Sequence, residues 1–312
     1  MDLITSRAII GMFYEMLEQG ETGWVDKLTF GTSSDQDSEK YAWLGQAPAM
    51  REMKGGRQAK GLSEQALEII NKEFEATLKI KVKDLRRDKT GQLRVRIGEM
   101  ADRANAHWAR LVSVLVNNGA SQICYDGQYF FDTDHSEGDS GVQSNAIDVD
   151  ISTLATSNHG SISAPSVGEA SEAIMLGIQQ VYGFKDDTGE PINENARNFL
   201  AMVPTNLWKA SAGAANNAVI DGGDTNTLVQ MDGMNIEVVA NPRLTANDKI
   251  RVFRTDGRTK PFIRQEEVPV EVSAQAEGSD VEFKHKEHHY GLYASGNAGF
   301  GMWQHGCEVT LI

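Results

Sequence analysis

Three observations predict an α+β fold. Residues 93–118 carry one continuous apolar stripe, with Ile97, Ala101, Ala104, Trp108, Leu111 and Leu115 stepping by four, three, four, three and four positions. That is the period of a single helix face. Phe74, Ala76, Leu78, Ile80 and Val82 alternate with Glu75, Thr77, Lys79 and Lys81, the two-residue period of a half-exposed strand. From residue 250 onward the chain divides into short strand candidates at 250–254, 261–264, 268–272, 281–284, 290–294 and 308–312.

The remaining elements follow in chain order. Ile9, Met12, Phe13, Met16 and Leu17 recur at helical spacing over 6–19, and Gly20 supplies a stop. One face of this helix is apolar and must pack on its own core or on a neighbour. Residues 31–42 are polar and turn-rich. Residues 43–60 mix Trp43, Leu44, Met50 and Met53 with Arg, Lys and the Gly55–Gly56 pair, without a clean period. With the alternating stretch that follows, 43–83 reads as a long two-stranded arm. An isolated hairpin is marginal in water, so such an arm needs a partner surface.

The 93–118 helix ends at Asn118–Gly119. At about 1.5 Å per residue it runs nearly 40 Å, the proportions of a structural beam. Its Ile97/Ala101/Trp108/Leu111 face is assigned to the chain's own core. Asp126–Gly127 marks a hairpin turn, followed by a polar loop to residue 147. Ser166 and Glu169 form a capping box for a helix over 166–182 with the stripe Val167, Ala170, Ile174, Ile178 and Val181. Residues 199–203 form a buried strand, a helical segment surrounds Trp208, and a second strand covers 236–240. There is no internal repeat and no low-complexity tract.

Composition narrows the function classes. The 312 residues are 40% apolar, enough for a folded core, and carry a formal charge of −14. An acidic surface repels nucleic acid, so direct nucleic-acid binding is disfavoured unless a local basic patch opposes the global sign. Cys124 and Cys307 form no CxxC pair and read as reduced structural thiols of a cytoplasmic protein. The first residues lack the basic and apolar regions of a signal peptide. No apolar run approaches the roughly 18 residues of a membrane span.

A search for chemistry yields no catalytic, cofactor-binding or metal-ligating assignment. Asp132-Thr133-Asp134-His135, near Asp126 and Asp139, begins like a calcium loop. Glu137 then stands where the EF-hand pattern needs Gly, and Gln143 where it needs Glu. The stretch reads instead as a turn with Asp side chains capping backbone amides. His285, His288 and His289 lie in a β-like pattern that puts 288 and 289 on opposite faces. GGRQAKG (55–61) lacks the phosphate-loop spacing, GNAGFG (296–301) is not GxGxxG, and no GxSxG is present.

Several strings resemble the Mu-like phage major head subunit family. They are FYEML (13–17), YAWLGQAPAMREMKGGRQAKGL (41–62), NKEFEATLKIKVKDLRRD (71–88) and YDGQYFFDTDH (125–135). LAMVPTNL (200–207), VVANPRL (238–244), KPFIRQEEVPVE (260–271) and YGLYASGNAGFGMWQ (290–304) follow in the family's order. The resemblance implies a Hong Kong 97-like phage capsid fold with an N-terminal arm (1–37), an extended β-hairpin loop (38–90) and a first peripheral part with the spine helix (91–145). An axial domain (146–245) and a strand-rich second peripheral part (246–312) complete it.

It further implies a non-enzymatic major capsid protein that forms hexamers and pentamers, closing an icosahedral head around the double-stranded DNA of a tailed phage. DNA would be enclosed without specific binding, in the virion head, after assembly in the host bacterial cytoplasm, with no membrane or cofactor involved. The family pattern starts by residue 13, which implies a separate scaffolding protein; a portal and a decoration protein are further expected partners. Leu44, Met50 and Met53 are expected to supply buried contact to a neighbour, and Arg51, Glu52, Lys54, Arg57 and Lys60 to set its register. Lys54, Lys60 and Lys72 give no ground for a covalent cross-link. An encapsulin-like compartment shell and, more remotely, a metal-dependent hydrolase are the alternatives.

Overall fold

The computed structural model describes residues 5–20, 23–41, 67–87, 91–156, 158–231 and 233–312. Helix α1 (Ser6–Glu18) starts where the Thr5 side chain accepts a hydrogen bond from the Ala8 N–H. It buries Ile9 and Phe13 against Leu93 and Ile97 of helix α4 (Gln92–Asn118), so its apolar face packs within its own chain. The short helix α2 (Trp24–Leu28) leads into strand β1 (Thr29–Ser33).

The first sheet has the order β1, β11 (Phe262–Gln275), β12 (Glu287–Phe300) and β4 (Lys72–Lys81). β1 runs parallel to β11; the other pairs are antiparallel. The strand expected at 74–82 is present, but its partner corrects the expected arm. β4 pairs with β12 over ten residues, from Lys72↔Gly296 to Lys81↔Glu287, and Val82 opens helix α3 (Val82–Arg87). The hairpin that remains is strand β2 (Ser38–Tyr41) against strand β3 (Leu67–Ile70).

Two expected strands, 261–264 and 268–272, merge into β11. Its register shifts around Val268, where Pro269 cannot donate to a ladder. The strand expected at 281–284 is instead helix α8 (Asp280–His285). Ser279 caps it by accepting from the Glu282 N–H, and Asp280 and Glu282 sit in its first turn.

The second sheet has the order β5 (Ala146–Val149), β13 (Gly306–Leu311), β10 (Lys249–Arg254), β6 (Asn198–Val203) and β9 (Asn235–Ala240). β10 and β13 are therefore inner strands of this sheet, and residues 246–312 divide between both sheets. Helices α5 (Val167–Gly183) and α6 (Trp208–Asn216) pack on it. Gly177 permits close approach, since a methyl group there would strike Val252 and Val309. The Ser166/Glu169 capping box is present as expected. Between the central strands, Arg251 Nε donates to Glu308 Oε2 at 3.0 Å, both side chains being almost wholly enclosed. Strands β7 (Val219–Ile220) and β8 (Asp224–Thr225) and helix α7 (Thr227–Gln230) complete the described elements.

An aromatic group joins the sheets. Phe130 stacks on Phe300 at 4.7 Å and on Phe262 at 5.3 Å, both from the first sheet. Phe253 of the second sheet meets Phe262 at 5.5 Å. Helix α4 spans about 40 Å and reaches both cores, which explains where its buried line departs from the expected stripe. Ile97 and Ala101 are enclosed, but Trp108, Leu111 and Leu115 are half-buried, and Val112, Ser113 and Val116 take the inner positions. Its N-terminal half packs in one core cluster and its C-terminal half in the other, so one stripe does not serve both. Buried Ser113 is satisfied: it donates to the Ala109 carbonyl and accepts from Asn241 Nδ2. No helix among the described residues is long and apolar enough to cross a membrane.

Ile97→Ala should cost roughly 3–4 kcal/mol in denaturant unfolding. Trp108→Ala should cost about 2 kcal/mol, less than for an enclosed tryptophan, because its ring is half-exposed under the Arg264 guanidinium. A Trp108→Ala loss larger than that of Ile97→Ala would contradict this division of the core.

Candidate functional site

The residues expected to touch a neighbour, Leu44, Met50, Arg51, Glu52, Met53, Lys54, Arg57 and Lys60, lie outside the described residues. What the structure describes is the root of the hairpin that carries them. β2 and β3 pair from Ser38↔Ile70 to Tyr41↔Leu67. One side chain of the first sheet, Gln265, holds this root at both ends. Its Oε1 accepts from the Tyr41 hydroxyl at 2.6 Å, while its Nε2 donates to the Ile69 carbonyl at 3.1 Å and to Asn71 Oδ1 at 2.6 Å. Asn71 Nδ2 in turn donates to the Gln36 carbonyl and Ser34 Oγ. Gln265 is fully buried, so each of these bonds replaces one that water would otherwise supply. Burial pushes the Tyr41 hydroxyl up to about 12, which keeps it a donor.

The root lies on β12 through a glycine. A methyl group at Gly299 would overlap the Ile69 side chain and touch Leu67. Its neighbours in GNAGFG have related roles. A methyl at Gly296 would meet the Gln265 carbonyl and Trp108, and one at Gly301 the Lys260 carbonyl. The motif that failed as a phosphate loop is thus a row of close backbone approaches. Sequence reasoning missed this role because the contacting residues lie far away in the chain.

The loop 119–145 bears the residues singled out for metal chemistry. Asp126–Gly127 forms the expected turn: the Cys124 N–H donates to the Gln128 carbonyl, and Gly127 takes φ +88°. Asp132 caps the N–H groups of Tyr129 and Thr133, while Asp134 and Asp139 are exposed. His135 turns inward, fully buried, and stacks on Trp303 at 3.9 Å.

Among the described residues, the potential metal donors that converge are Cys124, Asp126 and His135. They are committed to one another: Cys124 Sγ donates to Asp126 Oδ1 at 2.9 Å, and His135 Nδ1 lies 2.6 Å from Asp126 Oδ2. Burial pushes the Asp126 carboxyl up, but the bonds from His135 and Cys124 outweigh it and hold it below the ordinary range. Burial and Asp126 push the Cys124 thiol well up. A thiolate–imidazole pair requires sulfur beside the ring; here the carboxylate stands between them. The late histidines are dispersed: His285 ends α8, and His288 is buried while its neighbour His289 is partly exposed on the other face of β12.

The arrangement fixes a hairpin root rigidly to a sheet. Gly299→Ala should leave a folded subunit with a displaced hairpin root, seen as a melting point a few degrees lower and loss of higher-order association. Wild-type association by that variant would remove the role given to this contact.

A sequence model of the family described as Mu-like prophage major head subunit gpT matches residues 6–156 and 231–310. The Mu-like prophage FluMu major head subunit of Haemophilus influenzae is 37% identical over 101 residues, 32% of this chain and 33% of that protein. The major capsid protein of Escherichia phage Mu is 34% identical over 110 residues, 35% of this chain and 36% of that protein. The matched stretches thus span about a third of the length of these curated relatives. Among solved structures, a chain of the procapsid of bacteriophage JBD30 superposes with a TM-score of 0.54 at 22% identity, covering 97% of this chain and 74% of that one. The chain belongs to the Mu-like prophage major head subunit gpT family, and its fold is the Hong Kong 97-like capsid fold.

Proposed function

We propose that this chain is a major capsid subunit whose copies assemble as hexamers and pentamers into an icosahedral head enclosing the double-stranded DNA genome of a tailed phage. The observation that carries this reading is the family match at both ends of the chain, on the same elements that Gln265 ties together. β3 and β11 are far apart in sequence, yet they meet at the hairpin root.

In this reading the extended loop is the hairpin rooted at 38–41 and 67–70, and α4 is the spine helix. The first sheet forms the peripheral domain and the second sheet with α5 and α6 the axial domain. Residues 42–66 lie across an adjacent subunit, with Leu44, Met50 and Met53 as apolar contacts and Arg51, Glu52, Lys54, Arg57 and Lys60 as rim charges that set register. A separate scaffolding protein, a portal and a decoration protein are the other proposed partners. The excess negative charge suits a wall that does not trap packaged duplex. Assembly takes place in the host bacterial cytoplasm and the product is the virion head.

The test is size, by sedimentation and negative-stain imaging of the protein produced alone and with its neighbouring genes. Shells, tubes or capsomers are expected. Deleting residues 50–60 should leave a folded subunit that closes no shell. A stable monomer under every condition, or normal particles from the deletion variant, would sink the assignment.

A further inference from the structure

Charge is distributed unevenly along this chain. Residues 79–110 contain ten Lys and Arg against four Asp and Glu, a local charge of +6. Residues 111–184 contain nine Asp and Glu and no Lys or Arg, a local charge of −9. The structure turns each block into a surface. In the basic block, Arg96, Arg103 and Arg110 recur every seven residues along the exposed side of α4. They form one wall of a groove of about 720 Å³ between α4 and the β4/β12 edge of the first sheet. Phe74, Leu78 and Met100 give the groove an apolar lining.

Among the described residues, none of these three arginines has an ion-pair partner, although carboxylates outnumber cations in the chain. Glu99 on α4 and Glu75 on β4 also line the groove, so three guanidinium groups face two carboxylates and the groove keeps a net positive charge that an anionic group from outside would balance.

The acidic block presents a complementary surface. Its loop 119–145 exposes Asp134 and Asp139 and half-exposes Asp132. The same loop leaves Ile123 61%, Tyr129 44% and Val142 74% exposed. Acidic and apolar groups therefore occur together on the loop, as basic and apolar groups do in the groove.

We infer that the groove between α4 and the first sheet is a subunit–subunit docking site that receives the acidic, apolar loop 119–145 of a second copy of this chain. This rests on the self-assembly proposed above and assigns one of its contacts. The occupant follows from chemistry. Duplex DNA offers phosphates but would leave the apolar lining of a concave cleft uncovered, whereas an acidic protein loop with exposed Ile, Tyr and Val covers both. A second copy carries such a loop by construction. Groove and loop are different patches, so the contact is head-to-tail, the kind that generates rings.

The experiment uses the full chain in two variants. The groove variant is Arg96→Glu/Arg103→Glu/Arg110→Glu; the loop variant is Asp134→Arg/Asp139→Arg, which spares the capping residue Asp132. All five side chains are exposed, so circular-dichroism melting should confirm that both variants fold. Each variant alone should lose assembly by at least about tenfold in sedimentation, the loss expected from like charges facing across a contact. Mixed in equal amounts, they should associate again, because each groove then finds a loop of opposite charge. Alternating copies close only rings with an even number of subunits, so hexamers should return in negative stain and pentamers should not.

A groove variant that assembles like the wild type would overturn the proposal. So would two defective variants whose mixture stays unassembled, since the arginines would then meet another anion such as duplex DNA or a separate protein. Failure of the wild-type chain to assemble would count against the self-assembly reading, not against this contact.

Discussion

The structure depends on the seating of Phe130 between the two sheets. Its ring stacks on Phe262 and Phe300 from the first sheet, and Phe262 meets Phe253 from the second. Offset aromatic contacts of this kind add to the burial of large apolar surfaces. Because β11 begins and β12 ends at this cluster, the long first sheet is anchored there at one end, while α1 and α8 pack at the other. The same loop that delivers Phe130 places His135 on Trp303. One insertion thus positions both sheets, the turn at Asp126 and the acidic loop.

From that anchor, α4 and Gln265 carry order outward. α4 contributes to both cores. Gln265, buried in β11, fixes the hairpin root through bonds to Tyr41, Ile69 and Asn71. The proposed role in building a shell needs this rigidity. An arm reaching a neighbour transmits position only if its base does not swing, and ordering a mobile base on assembly would cost conformational entropy. The buried polar groups that resemble sites, Cys124, Asp126 and His135, serve the same end, since each is satisfied by another within the fold.

Much of this was legible in the sequence wherever the determinant is local. The α4 helix, the Ser166/Glu169 capping box and the Asp126–Gly127 turn each rest on residues a few positions apart, and each is found where expected, although beyond Ala101 the buried line of α4 shifts to Val112, Ser113 and Val116. The alternation through Phe74–Ile80 correctly marked a strand, but alternation does not name a partner, and β12 lies over 200 residues later. Residues 281–284 were a strand candidate, while Ser279 with Asp280 and Glu282 made a helix start that outweighed it. The role of GNAGFG was beyond reach for the same reason as the β4 pairing. What Gly299 must admit is Ile69, and only the fold brings them together. The charge blocks were visible in the sequence, but their meaning required knowing that the arginines line a groove.

In the proposed shell, a rigid body with a fixed hairpin root reaches onto its neighbours. A cryo-electron reconstruction of assembled particles, resolved well enough to trace residues 42–66, tests it most directly. The expected trace leaves the root at Tyr41 and Leu67 and lies across an adjacent subunit, with Leu44, Met50 and Met53 at the contact. A segment folded back onto its own subunit, with neighbours joined elsewhere, would contradict it.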